Sequence, residues 1–104
     1  MLQGMSKTAS QPHQTEINKL IQLFNEGSLN KAVLHGESLV GQFPGAVIVF
    51  EVLAAAYLNL GNLDKSINRY QKVLQLNPKH ADAHNNLGMA LYNKGQFTEA
   101  LEWY

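Results

Sequence analysis

A chain of 104 residues has room for one small domain, and an apolar share of 45% is ordinary for a protein that buries a core. Eight lysines and arginines balance eight aspartates and glutamates, which leaves no long-range field to draw nucleic acid or an anionic membrane, so neither is an expected partner. With no cysteine, disulfides and thiolate zinc sites are excluded, and packing must hold the fold together.

Residues 1–12 are polar, with Leu2 and Met5 the notable apolar side chains. They lack the hydrophobic core of a signal peptide and read as a disordered leader, so a cytoplasmic place is expected. From residue 13 the apolar spacing becomes helical, with Leu20, Leu23 and Phe24 on one face. Gly27 ends that helix, and Ser28 stands where its hydroxyl would accept from the free amides of the next. That second helix carries Leu29, Ala32 and Leu39 and stops at Pro44, because proline lacks the amide donor and restrains the residue before it. Residues 47–60 are the most apolar stretch, but Glu51 and Asn59 interrupt it and it falls short of the ~20 residues needed to cross a bilayer. It reads as a buried helix. Gly61 and Asn62 repeat the turn and the cap, and Asp64 places negative charge where the helix dipole favours it. Leu63, Ile67, Tyr70, Val73 and Leu74 then form a helical face that runs to Pro78. Residues 81–104 open a third pair, with Gly95 at the turn, Gln96 as a poorer cap and Glu99 as the first-turn acid.

The punctuation is periodic. Gly27, Gly61 and Gly95 are spaced by 34, as are Pro44 and Pro78, and each glycine is followed two residues later by bulk: Leu29, Leu63 and Phe97. The same offset relates Leu23, Tyr57 and Leu91, and the small residues Ala32, Ser66 and Ala100. Three unrelated amphipathic hairpins in a bundle would show helical periodicity too, but not this shared register.

The third unit, ADAHNNLGMALYNKGQFTEALEWY, resembles the tetratricopeptide repeat through Leu87-Gly88, Gly95, Phe97, Ala100 and Tyr104, with His84 at the bulky position. The second unit matches through Phe50, Leu53-Ala54, Tyr57, Gly61, Leu63, Tyr70 and Pro78. The first keeps Leu20, Leu23, Gly27, Leu29, Ala32, Leu39 and Pro44, and departs with Gly36 where an aromatic is usual. The resemblance implies an all-α solenoid of antiparallel helix-turn-helix hairpins over residues 13–104. Its units are 13–46, 47–80 and a truncated 81–104, and a fragment of a longer protein is expected.

In that family the first helix of each unit lines a concave groove that holds extended peptides. The resemblance therefore assigns Gln14, Ile17, Asn18, Ile21 and Asn25 to the groove from the first unit. It adds Ile48, Glu51, Val52, Ala55 and Asn59 from the second, and Asp82, Asn85, Asn86, Met89 and Asn93 from the third. Asn18 and Asn86 share a repeat position at which O-linked N-acetylglucosamine transferases carry a ladder of asparagines that hold the ligand backbone. An amide donates and accepts at once, which suits sequence-tolerant binding, but Val52 breaks the middle rung. The other reading, equally open, is that Asn85 and Asn86 are simply solvated. Members that clamp chaperone tails do so with lysine, arginine and asparagine. The corresponding positions hold Ile17, Ile21, Val52, Asp82 and Asn86, so the resemblance excludes heat-shock chaperone tails as ligand.

His80 and His84 are four apart, a spacing that brings imidazoles onto one helix face. Two ligands and Asp82 make a thin metal set, so structural roles and no metal are expected. Tyr57, Tyr70, Tyr92, Phe97 and Trp103 read as packing aromatics and not as a base-stacking platform. The glycines are turn residues, no phosphate loop or nucleophile motif is present, and no catalytic residue and no cofactor is assigned.

Three functions remain: a scaffold binding a peptide or a partner helix, which is no enzyme by itself; the recognition arm of a larger transferase; and a self-assembly module. The second is suggested by TEINKLIQLFNEGSLNKAVLHGESLVGQFPG, which is similar to the start of bacterial repeat proteins that continue into glycosyltransferase or sulfotransferase domains. The third is suggested by the uncapped last unit, where Phe97, Ala100, Leu101 and Tyr104 await a covering layer, so a homo-oligomer contact is expected there.

Overall fold

Each helix begins and ends at the 34-residue punctuation. The computed structural model describes residues 11–95, which form five helices and no strand: α1 Gln14–Asn25, α2 Leu29–Gln42, α3 Val47–Asn59, α4 Leu63–Leu76 and α5 Ala81–Asn93. The chain is therefore an all-α solenoid of helical hairpins. Of the leader, Gln11 and Pro12 are described, and Pro12 is buried. The readings made for Gln96, Phe97, Glu99, Ala100, Leu101, Trp103 and Tyr104 lie outside the described residues.

The turn within each hairpin is a left-handed cap. Gly27, Gly61 and Gly95 have φ of 81°, 79° and 86°, a region that costs a side chain but not glycine. After α1, Gly27 N–H donates to Phe24 O at 3.1 Å and Ser28 N–H to Leu23 O at 2.9 Å. After α3, Gly61 donates to Leu58 O at 3.0 Å and Asn62 to Tyr57 O at 2.9 Å. This paired pattern satisfies carbonyls that a helix end leaves open. Asn62 caps α4 as expected, its Oδ1 accepting from Lys65 N–H at 3.3 Å. Ser28 does not cap α2: its hydroxyl instead donates to Glu26 Oε1 at 3.3 Å, because a carboxylate two residues back is the stronger acceptor within reach.

Packing follows from one helix. α3 is apolar nearly all round, as befits a helix packed against α1, α2, α4 and α5, and its remaining face, with Ile48 37% exposed, is the open one. Val49, Leu53 and Tyr57 face Leu20, Ala32 and Leu39 of the first hairpin, while Phe50 and Ala54 face Tyr70, Val73, Leu74, Leu87 and Leu91. Along the chain α1 packs on α2 and α3, α2 on α3, α3 on α4 and α5, and α4 on α5. First helices of successive hairpins thus meet, whereas α2 and α4 do not pack directly, so the stack curves with α1, α3 and α5 on its inner side.

The departure at Gly36 has a steric cause. Gly36 is buried in α2, and a Cβ there would lie 2.7 Å from Leu53 Cγ and 2.8 Å from Cδ2. Ser66 follows similar logic in α4: it is fully buried, and its hydroxyl donates to Ala54 O at 2.9 Å. Tyr57 and Tyr70 are packed as expected, but Tyr92 is 53% exposed. It stands one residue, hence about 100°, round from Leu91 and off the buried stripe of Ala83, Leu87 and Leu91.

On the outer side an ion pair joins what packing leaves apart. Arg69 Nη2 on α4 donates to Glu37 Oε1 and Oε2 on α2 at 2.8 and 2.6 Å, and Tyr57 Oη on α3 donates to Glu37 Oε2 at 2.5 Å. Burial, then the hydrogen bond and charge of Glu37, push the Tyr57 phenol up to about 12, while the Arg69 charge pulls the other way. No helix among the described residues is long and apolar enough to cross a membrane.

Candidate functional site

The inner surface deepens at its centre into a cavity of about 210 Å³. Phe24 of α1 forms one wall, and Ile48, Glu51, Val52 and Ala55 of α3 run along the middle. Asp82, Ala83 and Asn86 of α5 close the far side, with Tyr70 of α4 and His80 at the hairpin junction. Successive first helices build it because residues i, i+3 and i+4 share a helix face: Ile48, Val52 and Ala55 on α3, Asp82 and Asn86 on α5.

His80 organises the junction. Its Nδ1 accepts from Ala83 N–H at 3.1 Å, capping α5, and its Nε2 lies 3.0 Å from Glu51 Oε1. A ring nitrogen that accepts an amide hydrogen bond carries no proton, so in this geometry the proton sits on Nε2 and is donated to Glu51. His84 takes the bulky position half-buried, with Nε2 2.9 Å from Pro78 O. The two imidazoles therefore address different partners. No group of three or more His, Asp or Glu residues among the described residues is arranged to hold a metal ion.

Tyr70 is 2% exposed and lines the cavity. Burial pushes its phenol up to about 12; a hydrogen bond with Asn86 lowers it and the charge of Glu51 raises it. Asn86 itself lines the cavity beside Asp82 and Ala83. Lysine and arginine are absent from the lining among the described residues. Arg69 and Lys72 instead line a depression with Phe50 and Gln75, where Lys72 Nζ stands 5.9 Å over the Phe50 ring.

Of the groove residues assigned by resemblance, Ile48, Glu51, Val52, Ala55, Asp82 and Asn86 come together in this cavity. Asn18, Ile21 and Asn25 line a shallower depression of about 500 Å³ on α1 with Gln22 and Glu26. Gln14 donates to Asn18 Oδ1 at 2.9 Å, and Ile17 is half-buried. Asn59, Asn85, Met89 and Asn93 are exposed, and like Gln14 and Ile17 they line neither cavity. Phe24, Tyr70, His80 and Ala83 are lining residues that the groove assignment omitted. Tyr70 belongs to a second helix, and only the packing of α4 against α5 brings it inward. His80 precedes its helix, and the legible signal was its place as residue before Ala81, where a cap is needed.

The profile of the TPR repeat family matches residues 54–95. The small glutamine-rich tetratricopeptide repeat-containing protein 2 of Mycosarcoma maydis is 33% identical over 61 residues, 59% of this chain and 17% of that protein. A probable UDP-N-acetylglucosamine–peptide N-acetylglucosaminyltransferase, SEC of Arabidopsis thaliana, is 31% identical over 104 residues, all of this chain and 11% of that protein. The chain thus spans a small part of these relatives. Among solved structures, the second TPR of Spaghetti (RPAP3), bound to the HSP90 peptide SRMEEVD, superposes with a TM-score of 0.84 at 18% identity. That match covers 90% of this chain and 87% of the other. A crystal structure of MamA gives a TM-score of 0.83 at 19% identity over 91% of this chain and 56% of that one. At such identity the structures speak for the fold.

Proposed function

Because the chain belongs to the tetratricopeptide-repeat family, we propose that it is a protein-interaction module that holds an extended peptide or a partner helix on its concave face. One observation carries this reading: a cavity is walled by α1, α3 and α5 together, with apolar side chains along it and Asn86 among its lining residues. Such a surface buries a side chain of the ligand while an amide meets its backbone as donor and acceptor at once. Asn18 and Asn86 serve as outer rungs, and Val52 between them is an apolar floor. With so few repeats the affinity is on the order of micromolar, about 8 kcal/mol of binding. A cytoplasmic place for the chain belongs to the same proposal.

Selection of heptapeptides from a displayed random library against the chain, followed by fluorescence polarisation, tests this. The double substitution Val52→Glu with Asn86→Ala is expected to weaken the selected peptides at least about tenfold, with helix content and unfolding midpoint largely kept. Peptides bound equally by both proteins would move the site to the outer face or the turns.

A second reading, a recognition arm within a larger transferase, is favoured by the similarity that runs through all 104 residues to part of the Arabidopsis transferase. It uses the same groove, now presenting a protein substrate to chemistry outside these helices. Peptide binding by the groove is common to both.

A further inference from the structure

We infer that the concave groove selects a cationic segment: a lysine or arginine, flanked by apolar residues, whose charge lies against Glu51 and Asp82. This rests on the groove being the binding face and names the chemistry of what enters it. Glu51 and Asp82 bring two carboxylates to a cavity whose other walls are the apolar Phe24, Ile48, Val52, Ala55 and Ala83 with Tyr70, His80 and Asn86, and among the described residues no lysine or arginine lines it.

The histidine beside them does not cancel this charge. His80 Nδ1 is the acceptor that caps α5, so the ring that donates Nε2–H to Glu51 is neutral. It orients the carboxylate without neutralising it. The Tyr70 phenol senses the same charge, Glu51 contributing to its upward displacement. Three basic groups of the second hairpin stand elsewhere: Lys65 and Arg69 lie over the Tyr57 ring, and Lys72 lies over Phe50; Lys79, beside His80, is exposed and not among the residues that line the cavity. In α1, Lys19 lines a separate depression with Thr15 and Leu23. A chain of zero formal charge is therefore polarised, with its concave centre negative.

The occupant follows from that arrangement. An aliphatic stem laid along Val52 and Ala55 with its cationic head at the carboxylates satisfies both parts of the lining, which is the way lysine and arginine cover apolar surface. An acidic peptide meets like charge and is repelled. The solved neighbour that holds SRMEEVD shares the scaffold with this chain, and a peptide with more acidic than basic residues is not the occupant expected here.

Three capped heptapeptides, alike except for lysine, norleucine or glutamate at the centre of a valine-alanine frame, provide the test. Binding is read by fluorescence polarisation and by amide shifts of Val52, Ala55 and Asn86. Lysine is expected to bind more tightly than norleucine, and norleucine more tightly than glutamate. The span from lysine to glutamate is about tenfold or more at moderate salt, and shrinks in ~1 M salt as screening takes hold. Glu51→Gln with Asp82→Asn should abolish the order, bringing the lysine and glutamate peptides to within about twofold of each other, because the charge is gone while the amide oxygen introduced at position 51 still accepts from His80. Equal binding of the lysine and glutamate peptides, or tighter binding of glutamate, overturns the cationic selection and leaves the groove standing. Failure of all three to shift the groove amides overturns the groove reading, and this inference with it.

Discussion

Gly36→Ala isolates the contact that joins the first hairpin to the second. A Cβ at this position lies 2.7 Å from Leu53 Cγ, well inside the 3.4–4 Å of ordinary contact, and Leu53 is fully buried, so its side chain would have to shift within a filled core. Alanine in a helix interior is worth about 1 kcal/mol over glycine, whereas forcing one methyl into a filled core costs about 1–3 kcal/mol. The balance is a net loss on the order of 1 kcal/mol, or roughly 4–8 °C in Tm for a domain of this size. Gly41→Ala is the matched control: it sits in the same helix and a Cβ there meets nothing within 4 Å, so it should raise stability by several tenths of a kcal/mol or more. Urea unfolding followed by circular dichroism measures both. A third arm uses Leu53→Ala, itself costing about 2–5 kcal/mol; in that background Gly36→Ala should turn from harmful to stabilising. If Gly36→Ala stabilises the wild-type chain as Gly41→Ala does, the close approach of α2 to α3 is not what keeps glycine at this position.

Two further outcomes follow from the caps and the phenols. Asn62→Ala should cost about 1 kcal/mol by freeing the Lys65 amide, while Ser28→Ala, whose hydroxyl makes no cap bond, should cost distinctly less; thermal melts of the two variants decide it. Tyr57 and Tyr70 both ionise near 12 in the folded chain against 10 when free, so the native state holds its protons longer and stability falls as pH rises from about 10 towards 12. The steepest loss is about 1.4 kcal/mol per pH unit for each tyrosine, read by urea midpoints at stepped pH beside phenolate absorbance. Tyr57→Phe should remove one of the two contributions.

Most of the helical layout was legible because it is punctuated locally. Gly27 and Gly61 mark left-handed turns that only glycine takes without strain, and Pro44 and Pro78 follow the last turns of α2 and α4. Ser28 misled because a capping residue type does not say which acceptor or donor its hydroxyl will meet, and Glu26 stood closer to hand. The central part of the groove was legible from helical spacing on α3 and α5. Tyr70 and His80 were not, since one reaches inward from a second helix and the other from a junction.

What the sequence determined alone is the repeat: its period, its turns, the apolar stripe of each helix and the nearly all-apolar α3, all consequences of residue type at fixed spacing. What only the tertiary structure decided lies between the repeats. The approach of α2 to Leu53 that excludes a side chain at Gly36, the joining of Glu37, Arg69 and Tyr57 across three helices, and the meeting of Glu51 with His80 each depend on residues 17 to 32 positions apart in the chain. Local propensity carries no record of such distances. The angle at which one hairpin settles on the next sets them, and that angle is fixed by the summed packing of many small contacts.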